Sequence, residues 1–258
     1  VENYNGESAE VLGVHLEGPF ICHKYKGGMN ELYILQSDVN ILQDFIQASE
    51  NCIKIVTYAP ELDSDGTFLK ALMDSDIVAS AGHSNATYAQ MQEAVAHGLK
   101  NVTHTYNAQS PLHHREIGVV GSALLLDELH TELIADEIHV SVPAMQVLLK
   151  SKPKNKVILV TDSMRAKGVE EGISEIGGQK VIVKNGEARL ENGTLAGSVL
   201  KMNIAIKNLV EDLGVSLTDA IDYATINPAK ALGVEKDLDS IAVGKKAVGA
   251  SALKANSK

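Results

Sequence analysis

All nine histidines of this chain lie at or before His139, so the residues best suited to bind metal or move protons are crowded into its first part. Glu17 closes the apolar run Val11–Glu17, His83 closes Ile77–His83, and His104 sits inside Asn101–Asn107. One carboxylate and two imidazoles, brought together from three such runs, offer one oxygen and two nitrogens, the donor set of a catalytic zinc-type centre with an open fourth position. An ion held there lowers the pKa of a water towards 7 and polarises a carbonyl oxygen. Asp162 closes the run Lys156–Asp162. It can take a proton from water and deliver it to a leaving nitrogen, the two transfers that amide hydrolysis requires. His139 closes Leu133–His139 and can steady a carbonyl oxygen as that oxygen gains charge.

Each of these residue types also has an ordinary structural use: a paired carboxylate, a hydrogen-bonded core imidazole, an aspartate capping a helix. Their common placement at the ends of apolar runs tells against that use. His15 shares strand parity with Glu17 and should face the same interior one layer deeper, in a supporting or packing role. His23, His97 and His130 read as loop or helix residues, with His97 favoured by the dipole at a helix end. His113 and His114, beside Arg115, are candidates for the rim of a site.

The elements that must position these groups are six apolar runs: Val11–Glu17, Ile53–Pro60, Ile77–His83, Asn101–Asn107, Leu133–His139 and Lys156–Asp162. They read as buried parallel strands, with helical patterns between them. Thr87 and Gln90 have capping-box spacing, Tyr88, Met91 and Val95 share a face, and Gly98 is a stop. Alternating strands and helices select an α/β fold with a parallel sheet. Single polar residues gathered at the carboxyl ends of five strands favour a TIM-like (β/α)₈ barrel over an open sheet. Glu17 lies so near the start that the barrel is expected to lack its first two strands.

Past Asp162 the pattern changes. Asn185-Gly186 between alternating runs signals a β-hairpin inserted into the barrel. A helix presenting Met202, Ile206, Leu209, Val210 and Leu213 on one face follows, then one starting near Ser216, and a third opened by Asn227-Pro228. The expected organisation is a partial barrel over 1–236 carrying the site, with 237–258 a truncated or frayed remnant of a small β-sandwich.

Composition narrows the function. The net charge of −10 and the lack of a Lys/Arg-rich run exclude nucleic acid, while a single phosphate can still be held by a few local donors. The longest uncharged apolar stretch, Ile117–Leu125, is far short of the ~20 residues of a membrane span. Cys22 and Cys52 form no CxxC pattern, and the first residues carry no secretory signal, so the cytoplasm is expected.

The stretches His15-Leu-Glu-Gly-Pro-Phe20, Gly82-His-Ser-Asn-Ala86, Thr103-His-Thr-Tyr-Asn-Ala108, Ala135-Asp-Glu-Ile-His139, Thr161-Asp-Ser-Met164 and Gly193-Thr-Leu-Ala-Gly-Ser198 resemble, in order, those of the N-acetylglucosamine-6-phosphate deacetylases of the amidohydrolase superfamily. The resemblance implies that Glu17, His83 and His104 hold the metal; as His and carboxylate donors they suit one divalent ion, zinc first, with iron, manganese or cobalt as alternatives. It implies that Asp162 is the acid/base and that His139 contacts the substrate. It further implies that Asn107, the backbone at Ala108 and Arg115 hold the sugar phosphate, Arg115 acting across a homodimer interface. Gly28-Met29 and Leu195-Ala196-Gly197 would line the sugar pocket.

Two positions depart from the family: Met29 stands where many relatives carry a polar residue, and Glu137 replaces a common glycine. The expected reaction is hydrolysis of N-acetylglucosamine 6-phosphate to glucosamine 6-phosphate and acetate. Its rivals are the N-acetylgalactosamine epimer, a cyclic-amide hydrolase, and a catalytically inactive fragment that binds only metal or sugar phosphate.

Overall fold

A computed structural model describes residues 11–169, 171–238 and 243–245. Six strands, β1 (Val14–Glu17), β2 (Ile53–Tyr58), β3 (Val78–Ala81), β4 (Asn101–Val102), β5 (His130–Leu133) and β6 (Val157–Leu159), pair in parallel and in chain order. Each connection carries one helix: α1 (Val39–Ala48), α2 (Thr67–Asp74), α3 (Tyr88–Ala96), α4 (Gly118–Leu125) and α5 (Val142–Ser151). The sheet curls into a TIM-like half-barrel. Among the described residues the sheet has six strands, two fewer than a closed barrel of this type, with β1 and β6 at its two ends.

The expected strand positions hold for β1, β2, β3 and β6. Asn101–Asn107 is cut to a two-residue β4, although the ladder continues in the bonds from Thr103 N–H to Ala81 O (2.9 Å) and from Thr105 N–H to Glu132 O (2.8 Å). The fifth strand is misplaced in the sequence reading. It runs over His130–Leu133, not Leu133–His139, so His130 opens a strand and His139 lies in the following turn. The physical reason lies at both ends. Thr131 and Glu132 are polar yet buried, on opposite faces of the strand with Glu132 on the barrel side, which hides the strand, while Asp136 accepts the N–H groups of Ile138 and His139 and bends the chain out of the sheet.

The capping box of α3 is present, with both Thr87 and Gln90 side chains engaged. His97 caps its far end, and its Nδ1–H donates to Glu93 O at 2.8 Å. The stretch that looked too short for a membrane forms α4, buried over nearly its whole length. Among the described residues no helix is long and apolar enough to cross a membrane.

After β6 come β7 (Gly172–Ile176), β8 (Gln179–Lys184) and β9 (Glu187–Leu190), a three-stranded antiparallel sheet. Asn185 and Gly186, with φ of 52° and 78°, form the expected turn between β8 and β9. The expected hairpin is therefore present with one more strand than predicted. Helices α6 (Met202–Glu211), α7 (Leu217–Ala224) and α8 (Ile226–Leu232) follow. Ser216 caps α7 by accepting Asp219 N–H at 3.1 Å. Asn227 does not cap α8. It lies inside the helix, buried, and its amide donates to Lys154 O at 2.8 Å and Val157 O at 2.7 Å, fastening the helix beneath β6.

Apolar packing divides along the sheet. Residues of β2–β4 and α1–α4 form one cluster around Phe20, Tyr58 and Phe68, and residues of β5, β6 and α5–α7 form another around Leu133, Met145 and Leu209. The inner face is polar instead. His15 Nε2 hydrogen-bonds Thr57 Oγ1 at 2.7 Å, and Thr103 Oγ1 lies 2.6 Å from both Thr57 Oγ1 and Ser80 Oγ. His15 thus faces the interior layer as expected, and it is exposed. Most of the expected sandwich remnant, 239–242 and 246–258, lies outside the described residues.

Candidate metal centre and substrate cavity

Parallel strands deliver their carboxyl ends to one rim of a barrel, and there the chain turns sharply. Glu17 is the last residue of β1, while His83, His104 and Asp162 lie just beyond β3, β4 and β6 with φ of 48°, 31° and 47°. Left-handed backbone at a residue with a side chain is strained, and three such residues around one point mark a functional site.

Glu17 Oε1 lies 2.8 Å from His83 Nε2 and 2.9 Å from His104 Nε2, and the two imidazole nitrogens are 3.1 Å apart. His83 settles whether these residues suit an ion. Its Nδ1 lies 2.7 Å from Tyr25 O and must donate there, which leaves a lone pair on Nε2 facing a carboxylate oxygen and a second imidazole. Such a convergence needs a positive charge at its centre. Burial alone would raise Glu17 and lower His104. Instead, their mutual attraction holds the Glu17 carboxyl well below the usual range and pushes His104 up to about 9. A divalent cation supplies that charge without a shared proton, and the three ligand atoms are spaced to hold one.

A cavity of about 730 Å³ opens onto these ligands, and Asp162 and His139 line it as well. Burial, reinforced by the negative charge of Glu17, pushes the Asp162 carboxyl up to about 6 against the opposing pull of His104 and His139. His139 is oriented by Asp136, whose Oδ2 accepts its Nδ1–H at 2.6 Å. The adjacent Glu137 has a φ of 65°, the left-handed conformation that suits the glycine expected at this position.

Gly28, Met29, Asn107, Ala108, Leu195, Ala196 and Gly197 all line the cavity. Arg115 does not. It is exposed, with Nη1 2.7 Å from His114 Nε2. The Met29 thioether lies over Gly18, where a Cβ would meet its sulfur at 3.3 Å. Gly28 passes so close to the segment after β9 that a Cβ would fall 3.2 Å from Ala196 Cα, and Gln179 Nε2 donates to Gly28 O at 2.8 Å. The antiparallel sheet is thereby pinned over the mouth. Its returning segment pairs with the end of β6: Ser198 N–H donates to Asp162 O at 2.7 Å and Met164 N–H to Ser198 O at 2.9 Å.

Several contributors escaped the sequence reading. Asp136 could have been found as an acid three residues before a candidate histidine. Glu132, buried on β5 with Oε2 3.3 Å from His104 N, carried a signal only as an acid among apolar neighbours. Arg189 lines the cavity from β9, its Nε on Glu187 Oε2 (2.6 Å) and its Nη1 on Gly193 O (2.7 Å). Nothing local announces where an inserted sheet folds back.

The chain matches the amidohydrolase family over residues 7–248. It is 45% identical over 239 residues to the N-acetylglucosamine-6-phosphate deacetylase of Bacillus subtilis (strain 168), covering 93% of this chain and 60% of that protein. It is 36% identical over 242 residues to the N-acetylgalactosamine-6-phosphate deacetylase of Escherichia coli O157:H7, covering 94% and 64%. Among solved structures, the N-acetylglucosamine-6-phosphate deacetylase of Thermotoga maritima superimposes with a TM-score of 0.85 at 41% identity, over 92% of this chain and 63% of the other. A mutant of the Mycobacterium smegmatis enzyme, in complex with N-acetyl-D-glucosamine-6-phosphate, superimposes at 0.87 with 29% identity, over 91% and 62%. The chain thus spans about three-fifths of the length of these relatives.

Proposed function

The chain belongs to the amidohydrolase family, and from that premise we propose that it carries the catalytic portion of an N-acetylglucosamine-6-phosphate deacetylase, releasing acetate and glucosamine 6-phosphate in cytoplasmic amino-sugar catabolism. The observation that carries this reading is the meeting of Glu17 Oε1, His83 Nε2 and His104 Nε2 within 3.1 Å at a cavity also lined by Asp162 and His139.

Glu17, His83 and His104 would hold one divalent ion, zinc first, with iron, manganese and cobalt compatible with the same donors. When bound, that ion supplies a Lewis acid that activates water and polarises the acetyl oxygen. Asp162, ionised above its raised pKa, accepts the water's proton and returns it to the amine as the amide bond breaks. His139, held by Asp136, donates a hydrogen bond to the acetyl oxygen as negative charge builds.

Asn107 and the backbone at Ala108 would take the 6-phosphate, and Arg115, outside its own cavity, would reach the phosphate of a partner chain in a homodimer. Gly28, Met29 and Leu195–Gly197 would form the walls around the sugar.

Acetate release from N-acetylglucosamine 6-phosphate and its galactosamine epimer, measured side by side, tests the reading. A faster rate on the first is expected. Preference for the second would reassign the substrate, and saturable binding without acetate release in a metal-loaded sample would leave only a binding fragment.

A further inference from the structure

Glu61 follows β2 in the short turn Pro60–Leu62 and does not line the cavity. Its carboxylate nevertheless grips the two residues that follow His83. Oε2 accepts the Ser84 hydroxyl at 2.6 Å, and Oε1 accepts the Asn85 backbone N–H at 2.5 Å. Ser84 is fully buried, and its Oγ in turn accepts Ala86 N–H at 3.0 Å.

His83 needs such support because its φ of 48° is a conformation that a side chain resists. On its other side, the loop after β1 holds it: Cys22 N–H donates to His83 O at 2.8 Å, and Tyr25 O takes the ring Nδ1–H. Ser84 N–H donates to Ala108 O at 3.2 Å, and Lys24 Nζ donates to Asn85 Oδ1 at 3.0 Å. The strained residue is thus clamped before and after. Glu61 is the one carboxylate among these anchors, and bonds to a charged acceptor are the stronger kind.

We infer that Glu61 is a positioning residue for His83: by bonding Ser84 and Asn85 it keeps His83 in its left-handed turn, with Nε2 aimed at Glu17 and His104. Loss of the carboxylate leaves the buried Ser84 hydroxyl without its acceptor and lets the turn relax, so the ligand triangle opens. The inference rests on the metal-centre reading above and deepens it by naming a residue that acts through a ligand without touching the ion.

The test is zinc affinity, measured by competition with a chromophoric chelator and independent of activity, on the wild-type chain and on Glu61→Ala, Glu61→Gln and Ser84→Ala. Glu61→Ala is expected to weaken zinc binding about 10-fold to 100-fold, the usual cost of removing an outer partner of a ligand. Glu61→Gln, whose amide oxygen still accepts Asn85 N–H, falls between Glu61→Ala and wild type. Far-UV circular dichroism of the metal-free proteins checks that folding is retained. If Glu61→Ala fails to fold, Ser84→Ala decides: weakened binding supports the clamp and wild-type affinity overturns it. Equal zinc affinity in wild type and folded Glu61→Ala overturns the inference alone, whereas no uptake by the wild-type chain removes the metal centre and the inference together.

Discussion

His139 and Asp136 are joined by a 2.6 Å hydrogen bond from imidazole Nδ1 to carboxylate Oδ2, while Asp136 Oδ1 accepts the backbone N–H groups of His139 (2.8 Å) and Ile138 (2.9 Å). Burial works against an ionised carboxyl here, but the bonds from His139 hold Asp136 below the usual range. The bond fixes the orientation of the His139 ring, which lines the cavity together with Asp162.

This pairing predicts unequal, non-additive losses. His139→Ala should lower kcat about 10²-fold to 10³-fold, the scale of a lost oxyanion donor. Asp136→Asn should cost about 10-fold to 100-fold, as for other groups that orient an imidazole. Steady-state kinetics on the double variant should match His139→Ala alone; multiplied losses would show that the two residues act separately.

Asp162→Asn removes the proposed proton carrier and leaves the three proposed ligands in place. Metal content should stay near the wild-type level while kcat falls about 10²-fold to 10⁴-fold. Unchanged turnover would take Asp162 out of the mechanism.

The pH dependence follows from the same residue. Burial and the charge of Glu17 push Asp162 up to about 6. Its ionised form is the proposed base, so kcat/KM should rise with pH up to that region and then level off. A bound cation favours the carboxylate and shifts the midpoint below 6. An acid limb lying at higher pH, or no limb down to pH 4, would assign the base to another group.

Stability should depend on Asn227. Its buried amide serves the carbonyls of Lys154 and Val157, and Asn227→Ala leaves both without that donor. The expected cost is about 2 to 3 kcal/mol, read as a lower thermal midpoint in calorimetry. A midpoint unchanged from wild type would mean that other donors replace the amide.

Much of the candidate site was legible because Glu17, His83, His104 and Asp162 each stand at or near the carboxyl end of an apolar run, and a parallel barrel turns such ends toward one point. The scaffold was less legible wherever polar residues are buried. Thr131 and Glu132 concealed β5, so His139 was placed on a strand when Asp136 in fact folds it into a turn. Asn227 imitated a helix cap because Asn-Pro is a common helix start, whereas its amide bonds reach carbonyls far back in the chain. Glu61 and Arg189 gave no local signal, since the loop and hairpin carrying them meet the site only in three dimensions.

The central claim is that one carboxylate and two imidazoles bind a single ion on which hydrolysis depends. Elemental analysis of the purified chain, paired with acetate release and repeated on Glu17→Gln and His104→Ala, tests it most directly. One divalent ion per wild-type chain is expected, with loss of both ion and acetate release in each variant and recovery of chelator-treated wild type when the ion is restored. Full metal content in either variant, or acetate release from metal-free wild type, would contradict it.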